Sequence, residues 1–166
     1  MSDLITSIDG YRKGWKGGLP ETICGSGSTL KSTKKQRGWI PKIIKQYGIK
    51  SIADIGAGDL NWIKHIDLTA VKYTAYDLIP RKPEVIRLDI TRQVPPKSDM
   101  IMCLWVLNHF SMDDAENALS NIVKSCDYLL VTYRGKTDSD VLIDKFDCIE
   151  SIPLNDKKDC LRLIYV

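Results

Sequence analysis

The run Ser51-Ile52-Ala53-Asp54-Ile55-Gly56-Ala57-Gly58 ends an apolar stretch in an acid and two glycines. Glycines in such a turn let backbone N–H groups come close to a ligand, and a helix start beside them favours anionic groups. The same pattern also serves as an ordinary strand-to-helix turn. Asp77 follows the glycines by about twenty residues, the spacing at which a carboxylate can accept hydrogen bonds from ribose hydroxyls. Asp89, in Arg87-Leu88-Asp89-Ile90, offers an acceptor for an adenine amino group, with Ile90 packing on the ring. As plain structure, each acid would be a surface carboxylate or a helix cap. His109 is the candidate general base, since imidazole titrates near neutrality, and Asn108 precedes it. A histidine that begins a loop and bonds to backbone would instead be structural. His65 sits in a short polar helix and faces solvent.

Alternating elements must hold these residues. The pattern predicts strands over Ile52 to Ile55, Lys72 to Asp77, Val85 to Ile90, Asp99 to Trp105 and Tyr128 to Tyr133. Near-continuous apolar runs such as Met100 to Leu104 suit central parallel strands covered on both faces. A short helix is expected over Leu60 to His65. Ser111 and Asp114 make a capping-box pattern for a helix buried through Ala115, Ala118, Leu119 and Ile122. A helical piece around Val141 to Phe146 precedes two closing strands, Ile149 to Leu154 and Cys160 to Val166, which read as an antiparallel edge. Upstream, Ile40, Ile43, Ile44 and Tyr47 share one helical stripe ended by Gly48. Ser28 or Thr29 would cap it, and Pro41 in a first turn suggests two short helices meeting near Gly38 and Trp39. Residues 1–28, with Tyr11 and Trp15 as large anchors, read as an arm or lid, or as a disordered tail. Residues 29–166 then form a single domain. In an open α/β sheet, ligands sit outside the carboxyl ends of the strands, which is where the acids fall.

The 166 residues, 43% hydrophobic and 27% charged, fit one soluble globular domain. No apolar run is long enough to cross a bilayer, and no secretion signal opens the chain. Five scattered cysteines without a CxxC pair argue for reduced thiols in the cytoplasm and against a zinc site. The net charge of +3 is concentrated at Lys31, Lys34, Lys35, Arg37, Lys42, Lys45 and Lys50, without an intervening acid. That cluster is either the solvated face of a helix or a surface for phosphates.

A nucleoside site leaves two large enzyme classes open. A dinucleotide enzyme would want a third glycine at Asn61 and would leave Asp54 unexplained. The pattern acid-x-Gly-x-Gly, an acid closing the second strand, Asp89 near the end of the third and an apolar fourth strand running into Val-Leu-Asn-His resembles the class I S-adenosylmethionine-dependent methyltransferases. The resemblance covers residues 39–166. Gly25-Ser26-Gly27-Ser28-Thr29-Leu30 together with Gly58-Asp59-Leu60-Asn61-Trp62 looks like a small bacterial and phage subgroup. The resemblance implies a Rossmann-like, mostly parallel sheet closed by an antiparallel hairpin, with helices on both faces. It implies that Asp54, Gly56, Ala57 and Gly58 surround the methionine part of the cofactor and that Asp77 holds the ribose beside Leu78. Asp89 and Ile90 would frame the adenine, Leu104 and Trp105 would lie near the cofactor, and Asn108 and His109 would face the substrate. Two departures stand out. Leu60 replaces the third glycine of the loop, and Leu78 to Glu84 are too few for a crossover helix, so the adenine site would be open there or covered by the arm or a partner chain.

S-adenosylmethionine and S-adenosylhomocysteine are thus the expected ligands, with methyl transfer to an unidentified acceptor. The chain carries neither an Asn-Pro-Pro-Tyr type motif nor a Pro-Cys nucleophile, and it has no added recognition domain. A small molecule or an exposed group is therefore favoured over a base inside a duplex, which would need flipping. The alternatives are an RNA- or DNA-directed methyltransferase using residues 31–50, and a module that binds S-adenosylmethionine without transferring the methyl. No metal, no membrane and no particular oligomeric state is implied.

Overall fold

A computed structural model describes residues 19–135, 137–155 and 159–166. The expected arm is described only from Leu19 onward, so its anchors Tyr11 and Trp15 lie outside the described residues, as does part of the turn before the last strand.

Seven strands form one sheet: β1 (Ser51–Ile55), β2 (Lys72–Asp77), β3 (Ile86–Arg87), β4 (Ser98–Cys103), β5 (Cys126–Tyr133), β6 (Cys148–Pro153) and β7 (Cys160–Tyr165). Their spatial order is β3-β2-β1-β4-β5-β7-β6. The first five run parallel, whereas β7 pairs antiparallel with both β5 and β6. The order reverses between β1 and β4, which leaves a crevice at their carboxyl ends.

The two faces are covered by different helices. On one, α1 (Lys34–Tyr47) packs Ile40 and Ile43 against Ile52, Met100, Met102, Leu130, Leu161 and Leu163. On the other, α2 (Met112–Val123) and α3 (Asp138–Ile143) bury Ala115, Ala118, Leu119, Ile122, Leu142 and Ile143 against Ala53, Ile55, Ile101, Cys103, Leu129 and Val131. Successive strand residues alternate between these clusters, as the two-residue period of a strand requires. The Ser111 side chain accepts from Asp114 N, so the capping pattern at α2 forms as the sequence indicates.

Five expected elements come out differently. The helix over Leu60 to His65 is a single 3-10 turn, Ile63–His65, because Leu60 takes φ 59°, which a right-handed helix cannot contain. The third strand contracts to Ile86 and Arg87, opposite Tyr76 and Asp77; Asp89 already starts a turn in which Arg92 N and Gln93 N donate to its carbonyl. The fourth strand ends at Cys103, since Trp105 adopts φ 60°. Finally, α1 is one continuous helix that includes Pro41 and starts after Thr33, with Gly48 as its left-handed terminator. The helical piece after β5 begins at Asp138, ahead of Val141.

Candidate active site

Residues at the carboxyl edge of β1 and β2 form the centre of the site. Gly56 N and Ala57 N both donate to Tyr76 O, at 2.8 and 3.0 Å, so the turn leaving β1 folds over the end of β2. Asp77 lies below it. Its Oδ2 accepts Gly58 N at 2.9 Å and its Oδ1 accepts Ile79 N at 2.9 Å. The carboxylate is buried, with 4% of the residue exposed. These bonds fix the orientation of the carboxylate at the end of β2.

Asp54 is equally buried, on the α1 face of β1, and accepts the Tyr73 hydroxyl at 2.6 Å. Burial pushes its carboxyl up to about 7, the Tyr73 bond works against that rise, and the neighbouring Asp77 charge adds to it. Tyr73 is shifted upward by burial and by Asp54, so it stays protonated and donates. Tyr73, missed as a site residue, was signalled in the sequence: it shares the face of β2 with Asp77 through the alternation Tyr73, Ala75, Asp77.

Gly56 has φ 81°, and a Cβ placed on it would lie 2.2 Å from Val106 Cγ2. The turn after β1 and the segment after β4 therefore touch at the switch in strand order. Leu60 and Trp105, the non-glycine residues with positive φ among those described, flank the same crevice. Such conformations cost about 1–2 kcal/mol for an L residue. Leu60 thus keeps a glycine-like backbone at the position where the resemblance expects a third glycine. Trp105 N donates to Thr132 Oγ1 at 3.0 Å, which fixes its backbone, and its buried indole Nε1 has no hydrogen-bond partner among the described residues.

A second network, also unforeseen, ties residues 21–30 to the glycine turn. Asp59 Oδ2 accepts Thr22 Oγ1 at 2.7 Å and Ile23 N at 3.0 Å. Asn61 Nδ2 donates to Glu21 Oε1 at 2.9 Å and to Ser28 O at 3.0 Å. The paired segments Gly25 to Leu30 and Gly58 to Trp62 are thus in direct contact.

Of the remaining expected residues, Leu104 is buried against the α1 face, and Leu78 and Ile90 lie beyond β2 and β3. Ile90 belongs to the opposite cluster, and its carbonyl accepts Asn121 Nδ2. The Asp89 side chain accepts Thr91 N and Thr91 Oγ1 and lies 3.7 Å from Arg92 Nε. Asn108 and His109 sit together in the 3-10 turn Leu107–His109 beyond β4. Burial of part of the His109 ring, and then the Arg134 charge, lower its pKa below 6.5.

The residues 78–84 connecting β2 and β3 carry no helix. Beside them lies a cavity of about 660 Å³, walled by Tyr73, Ile63, Ile66 and Arg81 and by Leu19 to Ile23. None of the residues expected to hold the adenine lines it.

No protein-family model matches the sequence, and no curated protein matches it significantly. Solved structures do match in fold. The N-methyltransferase NodS from Bradyrhizobium japonicum, in complex with S-adenosyl-L-homocysteine, superposes with a TM-score of 0.71 at 13% identity, covering 99% of this chain and 98% of that one. Magnesium protoporphyrin IX methyltransferase from Synechocystis, with bound S-adenosylmethionine, gives 0.62 at 13% identity over 99% and 96% of the two chains. An S-adenosylmethionine-dependent methyltransferase from Clostridium acetobutylicum gives 0.64 at 12% identity over 80% and 91%. At these identities the likeness is one of fold. With its strand order, its reversed last strand and its acid-flanked glycine turn at the switch point, the chain has the class I methyltransferase fold.

Proposed function

We propose that the chain is an S-adenosylmethionine-dependent methyltransferase acting on a small molecule or an exposed group of a larger one. The observation that carries this reading is Asp77, buried at the carboxyl end of β2 and oriented by Gly58 N–H beside the switch point. The donor and acceptor set fits the cofactor. Asp77 would hold the ribose diol, with Leu78 next to it, and Asp54 would meet the cationic amino group under Gly56, Ala57 and Gly58. Asp89 and Ile90 would border the adenine, and Leu104 and Trp105 would close the crevice from β4. When bound, the cofactor supplies an electrophilic methyl group on a sulfonium.

The chain's own contribution is chiefly alignment, which in favourable cases is worth on the order of 7–11 kcal/mol. His109, neutral at pH 7 because its pKa is lowered, would take a proton from an acceptor that must lose one. Asn108, in the same turn, would orient that acceptor. Five free thiols suit a cytoplasmic enzyme.

A nucleic acid is the second reading, favoured by a cleft of about 670 Å³ whose lining includes Lys31, Lys34, Lys35, Ser26, Thr29 and Ser32. Its mark would be RNA binding that weakens steeply with salt and is lost on replacing Lys31 and Lys34.

Calorimetric titration with S-adenosylmethionine, S-adenosylhomocysteine and NAD tests the main reading. The expected result is binding of the first two and not of NAD, weakened about 10- to 100-fold in Asp77→Ala by loss of charged hydrogen bonds. Binding of NAD alone, or unchanged affinity in the variant, would overturn it. Transfer of a labelled methyl group to a mixed acceptor pool then separates an enzyme from a module that only holds the cofactor.

A further inference from the structure

β4 and β5 are parallel neighbours, with Cys103 opposite Val131, so the segments that follow them leave the sheet side by side at the edge that carries the crevice. One carries His109, whose backbone N–H donates to Val106 O at 3.0 Å. The other begins with Arg134. Its backbone N–H donates to Asp140 Oδ1 at 3.1 Å, and Asp140, 4% exposed, also accepts Thr137 N and Thr137 Oγ1. A buried carboxylate thus fixes the backbone from which the guanidinium projects.

The two arginines near this edge differ in how their charges are met. Arg162 lies 2.6 Å from Asp144 Oδ1 and 3.3 Å over the centre of the Tyr133 ring. Arg134 approaches Asp159 only to 3.6 Å, through Nε, with 44% of its side chain exposed. Asp159 itself is buried, but the contact is longer than a hydrogen bond and is made through Nε, and a planar guanidinium with five donors is suited to bidentate recognition of carboxylate or phosphate. Val106, Phe110 and Tyr133 pack along the same edge and supply an apolar wall.

We propose that Arg134, on the segment neighbouring the one that carries His109, forms a subsite for a carboxylate or phosphate on the methyl acceptor. The assignment to an acceptor rests on the methyl-transfer reading above, whereas the anion site stands on the geometry of this edge. An anion held there would offset the charge of Arg134, the charged group that acts on the His109 titration among the described residues. It would thereby make the imidazole more basic as the acceptor docks.

The chain has two histidines, His65 and His109, so ring resonances report the site directly. Inorganic phosphate and benzoate, titrated separately into the full chain, distinguish the two anion types. The expected result is saturable movement of the His109 signals with at least one of them, a rise in the His109 pKa, and no movement of His65. Arg134→Gln should start from a raised His109 pKa and bind the anion at least tenfold more weakly. Arg134→Lys, which keeps the charge but loses the fork, should leave the starting pKa low and still weaken binding. His109 signals that stay still with both anions, move equally with and without Arg134, or move no more than those of His65 would overturn the proposal. Anion binding needs neither cofactor nor methyl transfer, so its failure leaves the cofactor reading standing, and the converse holds as well.

Discussion

Tyr73 donates its hydroxyl to Asp54 Oδ2 at 2.6 Å, joining the start of β2 to the penultimate residue of β1, just before the glycine turn. Burial raises the Asp54 pKa and this bond restrains the rise. Tyr73→Phe should therefore push the Asp54 carboxyl further above about 7, as read by a carboxyl carbon titration in the variant and the parent. A fall would mean that the phenol does not stabilise the charged form.

The raised Asp54 pKa also sets a direction for stability. Between the unfolded value near 3.8 and the folded value of about 7, the folded chain keeps a proton that the unfolded chain has lost. The contribution of this group is full below that window and declines as pH rises through it, by on the order of 4 kcal/mol in all. Asp54→Asn removes the penalty for ionisation. Urea denaturation should show the variant gaining on the parent at pH 8 and not at pH 4, while its affinity for S-adenosylmethionine falls.

Gly56→Ala should damage both fold and site. A β-carbon there meets Val106 Cγ2 at 2.2 Å on a backbone with φ 81°. The conformational part alone costs about 1–3 kcal/mol. Adding Val106→Ala should recover the steric part and leave the rest, so a double-mutant cycle in thermal melts should show coupling between the two positions. Simple additivity would mean that the turn relaxes away from β4.

Asp59→Ala should release the segment that precedes α1. Loss of the bonds from Thr22 Oγ1 and Ile23 N predicts faster amide exchange at Ile23, with the β4 and β5 amides unchanged. The local stability of that segment should fall by about 1–3 kcal/mol, since these bonds go to a charged group.

The architecture was legible in the sequence wherever period and composition agreed. Lys72 to Asp77 alternates cleanly and is a strand over just those residues, and the apolar run of β4 marks a central strand. Asp54, Asp77 and the glycines are also brought together, because strand ends and tight turns announce themselves in residue type. What stayed hidden depends on backbone conformation or on distant pairing. Leu60 and Trp105 adopt left-handed conformations that their residue types disfavour, so local propensity misplaced the ends of the elements they break. The bond from Asn61 to Ser28 O spans 33 residues, and no spacing rule reaches that far. Pro41 suggested a helix break, yet the packing of Ile40 and Ile43 holds α1 in one piece.

The order of strands has a consequence for how the chain reaches its folded state. The closing hairpin pairs Pro153 with Cys160, neighbours along the chain, whereas Asp99 N meets Ser51 Oγ across 48 residues where β4 enters the sheet beside β1. Loop closure slows with separation, so the hairpin can collapse early while the β1–β4 seam must wait for a long excursion to be brought home. The crevice between Gly56 and Val106 lies on that seam, and the part of the molecule with the most chemistry is thus the part whose strand pairing demands the longest search.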